Sequence, residues 1–208
     1  MDVRRALLVS WLLVFFVSPL FAAEQPLLVC FGDSITAGYG LGADSAYPAA
    51  LRRDLNKLGY RYKVTNLGTS GATTKDAAEG LPALIRLHPA VVIVEFGGND
   101  GLRGLPLSQT RRNLDTVITT LMAAHIRVLL AGITLPPNYG LDYIRAFNQI
   151  YPDLAAKHHT AFVPMIYSGL VHVPGTIQAD GIHPTAKGSE MIAQTLLPAL
   201  KPLLHKGP

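Results

Sequence analysis

The sequence predicts a three-layer α/β/α sandwich built on a five-stranded parallel sheet, and three observations predict it. Short apolar runs alternate with longer amphipathic segments along most of the chain. Several of those runs are rich in β-branched residues and nearly continuous in hydrophobicity, which suits strands covered on both faces. No linker, internal repeat or break in composition divides the chain. A βαβα order of this kind requires right-handed crossovers, and these place helices on both sides of a parallel sheet.

In chain order, strands are expected over 27–31, 62–66, 91–96, 128–133 and 162–166. Helices are expected over 46–58, 75–87, 108–124, 141–158 and 186–201. Thr73 with Asp76 has the spacing of a capping box ahead of the second helix. Ser108 and Thr185 stand where N-caps belong for the third and fifth. Pro82 and Pro152 are expected to limit or kink the helices that contain them.

Composition narrows the class. The chain has 208 residues, 49% hydrophobic and 15% charged, which fits one ordinary domain and excludes intrinsic disorder. Its single cysteine, Cys30, cannot make an intramolecular disulfide and reads as a small core residue inside the first strand. The formal charge of +4 falls to +3 without the first 22 residues, with 16 basic against 13 acidic side chains. The basic residues are scattered, whereas phosphate binding needs a concentrated stripe, so no nucleic-acid partner is expected.

Residues 1–22 read as an export signal. Arg4 and Arg5 precede an uncharged apolar run from Ala6 to Val17; Pro19 then breaks it before the small residues Ala22 and Ala23. Cleavage after Ala22 leaves a domain over 23–208 with no stable membrane span, working in the periplasm or secreted. An uncleaved anchor is the structural alternative, since the uncharged stretch approaches spanning length.

Ligands of open parallel sheets bind outside the carboxyl ends of the strands. The segments following strands one, two, three and five are Gly32-Asp33-Ser34, Gly68-Thr69-Ser70-Gly71, Gly97-Gly98-Asn99-Asp100 and Asp180-Gly181-Ile182-His183. A serine hydroxyl needs a base to become a nucleophile, and His183 can accept and return the proton near neutral pH. Asp180, three residues earlier, can fix its tautomer and stabilise the imidazolium. The backbone N–H groups of Ser34 and Gly71 and the Asn99 amide are candidate donors to an oxyanion. Taken singly, Ser34 reads equally as an N-cap, Asp180 and His183 as an ordinary turn, and the glycines as tight turns. Their convergence on one end of one sheet favours catalysis.

These four blocks resemble, in order, those of the SGNH (GDSL) hydrolases. Gly98 to Gly104 and Ile150-Tyr151-Pro152 are similar to the group of bacterial multifunctional arylesterases, acyl-CoA thioesterases and lysophospholipases within that family. The resemblance spans about Leu27 to Leu200. It implies a flavodoxin-like fold, Ser34 as nucleophile, His183 as base oriented by Asp180, and an oxyanion hole from Ser34, Gly71 and Asn99. It also implies no metal and no organic cofactor, and as substrate a small-molecule or lipid acyl ester or thioester. A monomer is expected.

Other patterns are rejected. The G-x-S-x-G elbow is absent. Gly38, Gly40 and Ala43 satisfy G-x-G-x-x-A, but they neither open a helix directly after the strand nor precede an acidic residue ending the second one. His88, His125, His158, His159, His172 and His205 form no metal-ligand pattern, and His158-His159 reads as a solvated helix end. Asp100 and Arg103 are expected to shape the site or to form an exposed loop ion pair. Apolar residues beside the site (Leu102, Leu105, Pro136, Pro137, Tyr139, Tyr143, Ile166, Tyr167, Leu170 and Val171) could line an acyl groove or simply close the core. Two other functions fit the same scaffold: a carbohydrate O-deacetylase, which would accept acetate esters alone, and a non-catalytic binding protein, which would resist serine-directed fluorophosphonate labelling.

Overall fold

The apolar runs do assemble into one sheet. The structure is a computed structural model that describes residues 25–206, so the signal segment expected over 1–22 lies outside the described residues. The chain runs β1 (Leu27–Gly32), α1 (Ser34–Ala37), α2 (Tyr47–Lys57), β2 (Lys63–Gly68), α3 (Thr74–Ile85) and β3 (Val91–Glu95). It continues through α4 (Gly98–Leu102), α5 (Leu107–Ala123), β4 (Arg127–Ala131), α6 (Leu141–His158), β5 (Ala161–Val163) and α7 (Ala186–Leu200). The strand order is β2-β1-β3-β4-β5, and every neighbouring pair is parallel.

Two helix layers bury the sheet. On one side α2 packs against α7, presenting Tyr47, Leu51 and Leu55 with Ile192, Leu196 and Leu200. On the other, α5 packs between α3 and α6, with Leu114, Val117, Ile118 and Leu121 fully buried. These residues recur every three or four positions, as one face of a helix requires, and each adds about 1.5–3 kcal/mol when fully buried. β1, β3 and β4 are covered on both faces as their apolar runs predict. β2 is an edge strand and stays half-exposed, so double coverage does not extend to it. β5 is only three residues long, because Pro164 follows and has no N–H to give a ladder.

The helix ends follow local chemistry with one departure. Thr73 and Asp76 form the expected capping box, the Thr73 N–H donating to Asp76 Oδ2 at 2.7 Å. The Thr185 hydroxyl accepts from the Gly188 N–H at 3.2 Å. Ser108, however, is not the cap of α5: Pro106 is, its carbonyl taking the Gln109 N–H at 2.8 Å. The fixed φ of proline starts the helix earlier than a serine cap would. Pro82 and Pro152 lie inside α3 and α6 and end neither helix. Each removes one backbone hydrogen bond, while Leu81 and Leu84, or Tyr151 and Leu154, remain buried around it. His158 is not simply solvated, since its Nε2 lies 2.5 Å from Asp115 Oδ1.

The chain leaves β1 toward β2 on one side and returns to β3 on the other, so the strand order reverses between β1 and β3. Crevices open at such reversals, outside the carboxyl ends of the strands. Here the pairs Gly32↔Gly68 and Gly32↔Glu95 close the ladders just below the crevice.

Candidate active site

The turn that carries Ser34 is built by a close approach of backbone to backbone. α1 crosses directly over the ends of β1 and β2. A Cβ on Gly68 would lie 2.1 Å from the Ala37 nitrogen, and one on Gly32 would lie 2.0 Å from Thr36 Oγ1. Only glycine fits at either strand end. Asp33 caps the short helix, its Oδ1 accepting the Ile35 N–H at 3.0 Å, and Ser34 is the first helical residue. The cap is therefore Asp33, and the Ser34 hydroxyl is left free for chemistry.

His183 comes from the loop before α7. Its Nε2 is 2.9 Å from Ser34 Oγ, and its Nδ1 is 2.7 Å from Asp180 Oδ2. A carboxylate can only accept, so Nδ1 carries the proton and Nε2 is left to accept the serine hydroxyl. The other Asp180 oxygen accepts the N–H groups of Ile182 at 2.9 Å and His183 at 3.0 Å. The hydrogen bond from the His183 ring, then those backbone groups, hold the Asp180 carboxyl down at about 2. It stays ionised throughout the range in which an imidazole titrates. The Tyr39 ring packs on the His183 ring, tilted by 38° with centroids 4.6 Å apart. The Tyr39 carbonyl is held by Gln178 Nε2 at 2.8 Å.

Ser34, Gly71 and Asn99, from three different loops, line one cavity of about 400 Å³ together with His183. Asn99 Nδ2 donates to Ala72 O at 3.0 Å and to Asp33 Oδ2 at 3.2 Å. Arg103 Nη2 donates to Gly71 O at 2.9 Å and steadies that loop. Asp100 makes no ion pair with Arg103. It is buried, accepting Thr74 N–H at 2.9 Å and Thr74 Oγ1–H at 2.5 Å, and so ties the Asn99 turn to α3.

The cavity walls are largely apolar. Of the ten residues expected there, Leu102, Pro136, Pro137, Tyr167 and Val171 line it. Ile166 and Leu170 belong to the core, and Leu105 is not part of the wall. Tyr139 and Tyr143 brace α4 from behind, their hydroxyls donating to Leu102 O and Gly101 O. Ile35, Tyr39, Ile133, Leu135 and Ile182 complete the wall, although nothing in their sequence spacing singled them out. The segment after β4, Ile133 to Pro137, is a fifth contributing loop; its one signal was the proline pair. Cys30 is fully buried in β1, and burial pushes its thiol up to about 12, which fits a core residue.

Comparison with known proteins gives concordant likenesses. Residues 30–191 match the model of the GDSL-like Lipase/Acylhydrolase family. The chain is 44% identical to Esterase TesA of Pseudomonas aeruginosa, over 96% of this chain and 100% of that protein. It is 38% identical to Thioesterase 1/protease 1/lysophospholipase L1 of Escherichia coli K12, over 88% of each. A crystal structure of TesA superposes with a TM-score of 0.82 at 44% identity, covering 86% of this chain and 100% of that one.

Proposed function

The chain belongs to the GDSL-like lipase/acylhydrolase family and is an SGNH/GDSL esterase, and from that premise we propose that it is an exported serine hydrolase working through an acyl-enzyme on Ser34. The observation that carries this reading is the unbroken Asp180–His183–Ser34 relay, 2.7 and 2.9 Å long, opening into an apolar cavity. Substrates are aryl and fatty-acyl esters, acyl thioesters and lysophospholipids.

The Ser34 hydroxyl attacks the acyl carbon as its proton passes to His183 Nε2. The carbonyl oxygen becomes an oxyanion facing the Ser34 and Gly71 N–H groups and the Asn99 amide. The intermediate collapses with loss of the alcohol or thiol, which takes the proton from His183. Water, deprotonated by the same nitrogen, then attacks the acyl-serine, and Ser34 Oγ leaves with the proton returned by His183 as the acid is released. The Asp180 carboxylate stabilises the imidazolium at both stages.

Asn99→Ala is expected to lower kcat by about 10²–10³-fold with KM changed only a few fold, because an oxyanion donor acts chiefly in the transition state. An equal loss in binding would remove Asn99 from that role. Chain length tests the substrate class. Each methylene fully buried is worth about 0.8 kcal/mol, roughly a fourfold gain in kcat/KM. Hydrolysis of p-nitrophenyl esters should therefore rise from acetate toward octanoate and disappear in Ser34→Ala. Activity confined to acetate would point to an O-deacetylase instead. Export is tested separately, by N-terminal sequencing of the protein recovered outside the cytoplasm.

A further inference from the structure

We propose that Glu95 is a positioning residue for this chemistry: with Thr36 it forms a buried polar floor that fixes Asp33, and Asp33 in turn fixes the Ser34 turn and the Asn99 amide. The proposal rests on the reading of Ser34 as nucleophile.

Glu95 is anomalous where it stands. It ends the most buried strand, after Val91 to Val94 and before Phe96, and is itself only 1% exposed. A carboxyl that deep is costly unless partnered, and a strand position of this kind would ordinarily hold a β-branched residue. The surroundings are shaped for it. The Thr36 hydroxyl donates to Glu95 Oε2 at 2.8 Å and lies 3.0 Å from the Tyr47 hydroxyl. A Cβ on Gly32 would lie 2.7 Å from Glu95 Oε2, so β1 ends in glycine partly to make room for this side chain.

Above it sits Asp33, 2% exposed, which holds the Ile35 N–H with one oxygen and the Asn99 amide with the other. Two carboxyls this close and this buried cannot both ionise. Burial, then the neighbouring Asp33 charge, pushes Glu95 well up, so the deeper group keeps the proton. Glu95 Oε1 has no hydrogen-bond partner among the described residues. A protonated carboxyl is a donor, and the proton that Glu95 keeps favours ionisation of the neighbouring Asp33. Burial raises Asp33 to about 6, against the pull of the Ile35 N–H, the His183 charge, Asn99 and Glu95. The other groups around the pair stay neutral: burial pushes up Cys30, Tyr47, Tyr151 and Tyr167. Among the described residues, the further charge facing Asp33 is that of His183, whose partner is Asp180.

Glu95→Leu keeps the volume and removes both donor and acceptor. It is expected to lower kcat on p-nitrophenyl butyrate by about 10–100-fold with KM little changed, since misplaced donors act on the transition state. Without the Glu95 donor Asp33 ionises less readily, so the acid limb of kcat/KM should move to higher pH. Glu95→Gln supplies an N–H to Asp33 and an acceptor to Thr36, and should restore most of the activity and the wild-type limb. Wild-type kcat and an unmoved limb in Glu95→Leu would overturn the proposal, as would Glu95→Gln being as impaired as Glu95→Leu.

If Glu95→Leu fails to fold, thermal unfolding of wild type and Glu95→Gln against pH decides. An acid raised in the folded state favours folding most below its unfolded value, and that advantage is lost as pH rises toward the folded one. The wild type should lose stability relative to Glu95→Gln as pH climbs from about 5 to 9. Parallel curves would overturn the protonated carboxyl and the proposal with it. Ser34→Ala is run alongside. If it retains activity, the nucleophile reading fails; if it is inactive while Glu95→Leu matches wild type, only the positioning role fails.

Discussion

Ser34→Ala should hydrolyse p-nitrophenyl octanoate at least about 10⁴-fold more slowly than the unchanged protein, with thermal unfolding essentially unaltered. The expectation of unaltered folding is as specific as the loss of rate. Asp33, not Ser34, caps α1, so alanine at the first helical position removes no cap. Among the described residues, the one side-chain hydrogen bond lost is that to His183 Nε2 at 2.9 Å. Partly exposed changes of this kind usually stay within about 0.5 kcal/mol. Steady-state kinetics and a melting curve on the same preparation test both halves. A variant that is inactive because it is unfolded would leave the nucleophile unidentified, whereas one that is folded and active would exclude Ser34.

The second large effect is expected at the base. His183→Ala should cost about as much as Ser34→Ala, and the double variant should be scarcely slower than either, because the two groups act as one unit. Additive losses in that cycle would mean that serine and histidine serve separate steps. The loop should survive, since its closing bonds are from backbone groups: Gln178 N–H to His183 O at 2.8 Å and His183 N–H to Asp180 Oδ1 at 3.0 Å. The change does uncover one face of Tyr39, which now packs on the imidazole.

What was legible in the sequence shared a physical cause. Parallel strands write themselves as apolar, often β-branched runs, and the candidate groups lie beyond their carboxyl ends, Ser34, Gly71 and Asn99 within a few residues and Asp180 and His183 farther along the chain. Ser34, Gly71, Asn99, Asp180 and His183 were therefore all locatable as residues, and four of the five loops were too. The structure brings Ser34, Gly71, Asn99 and His183 to one cavity, with Asp180 bonded to the His183 ring; their roles in catalysis rest on the variants proposed above. What was hidden depended on three-dimensional neighbours. α1 and α4 are four and five residues long, too short to show a helical period. Ser108 looked like a cap because it has the right chemistry, yet Pro106 imposes the backbone angle earlier. Glu95 stood inside the expected strand 91–96 and drew no reading of its own. The ladder register sets it opposite Gly32, and the fold buries it under the turn that carries Ser34. Tyr39 carried no spacing signal at all, since its partner lies at the far end of the chain.

The sealed thiol of Cys30 has a practical consequence at the bench. Thioester hydrolysis is conveniently followed by trapping the released thiol with an aromatic disulfide such as Ellman's reagent. The protein's sole cysteine is fully buried, with its thiol pushed up to about 12, and so offers that reagent no thiolate while the fold is intact. Colour in such an assay reports product alone, and a slow colour rise without substrate reports unfolding.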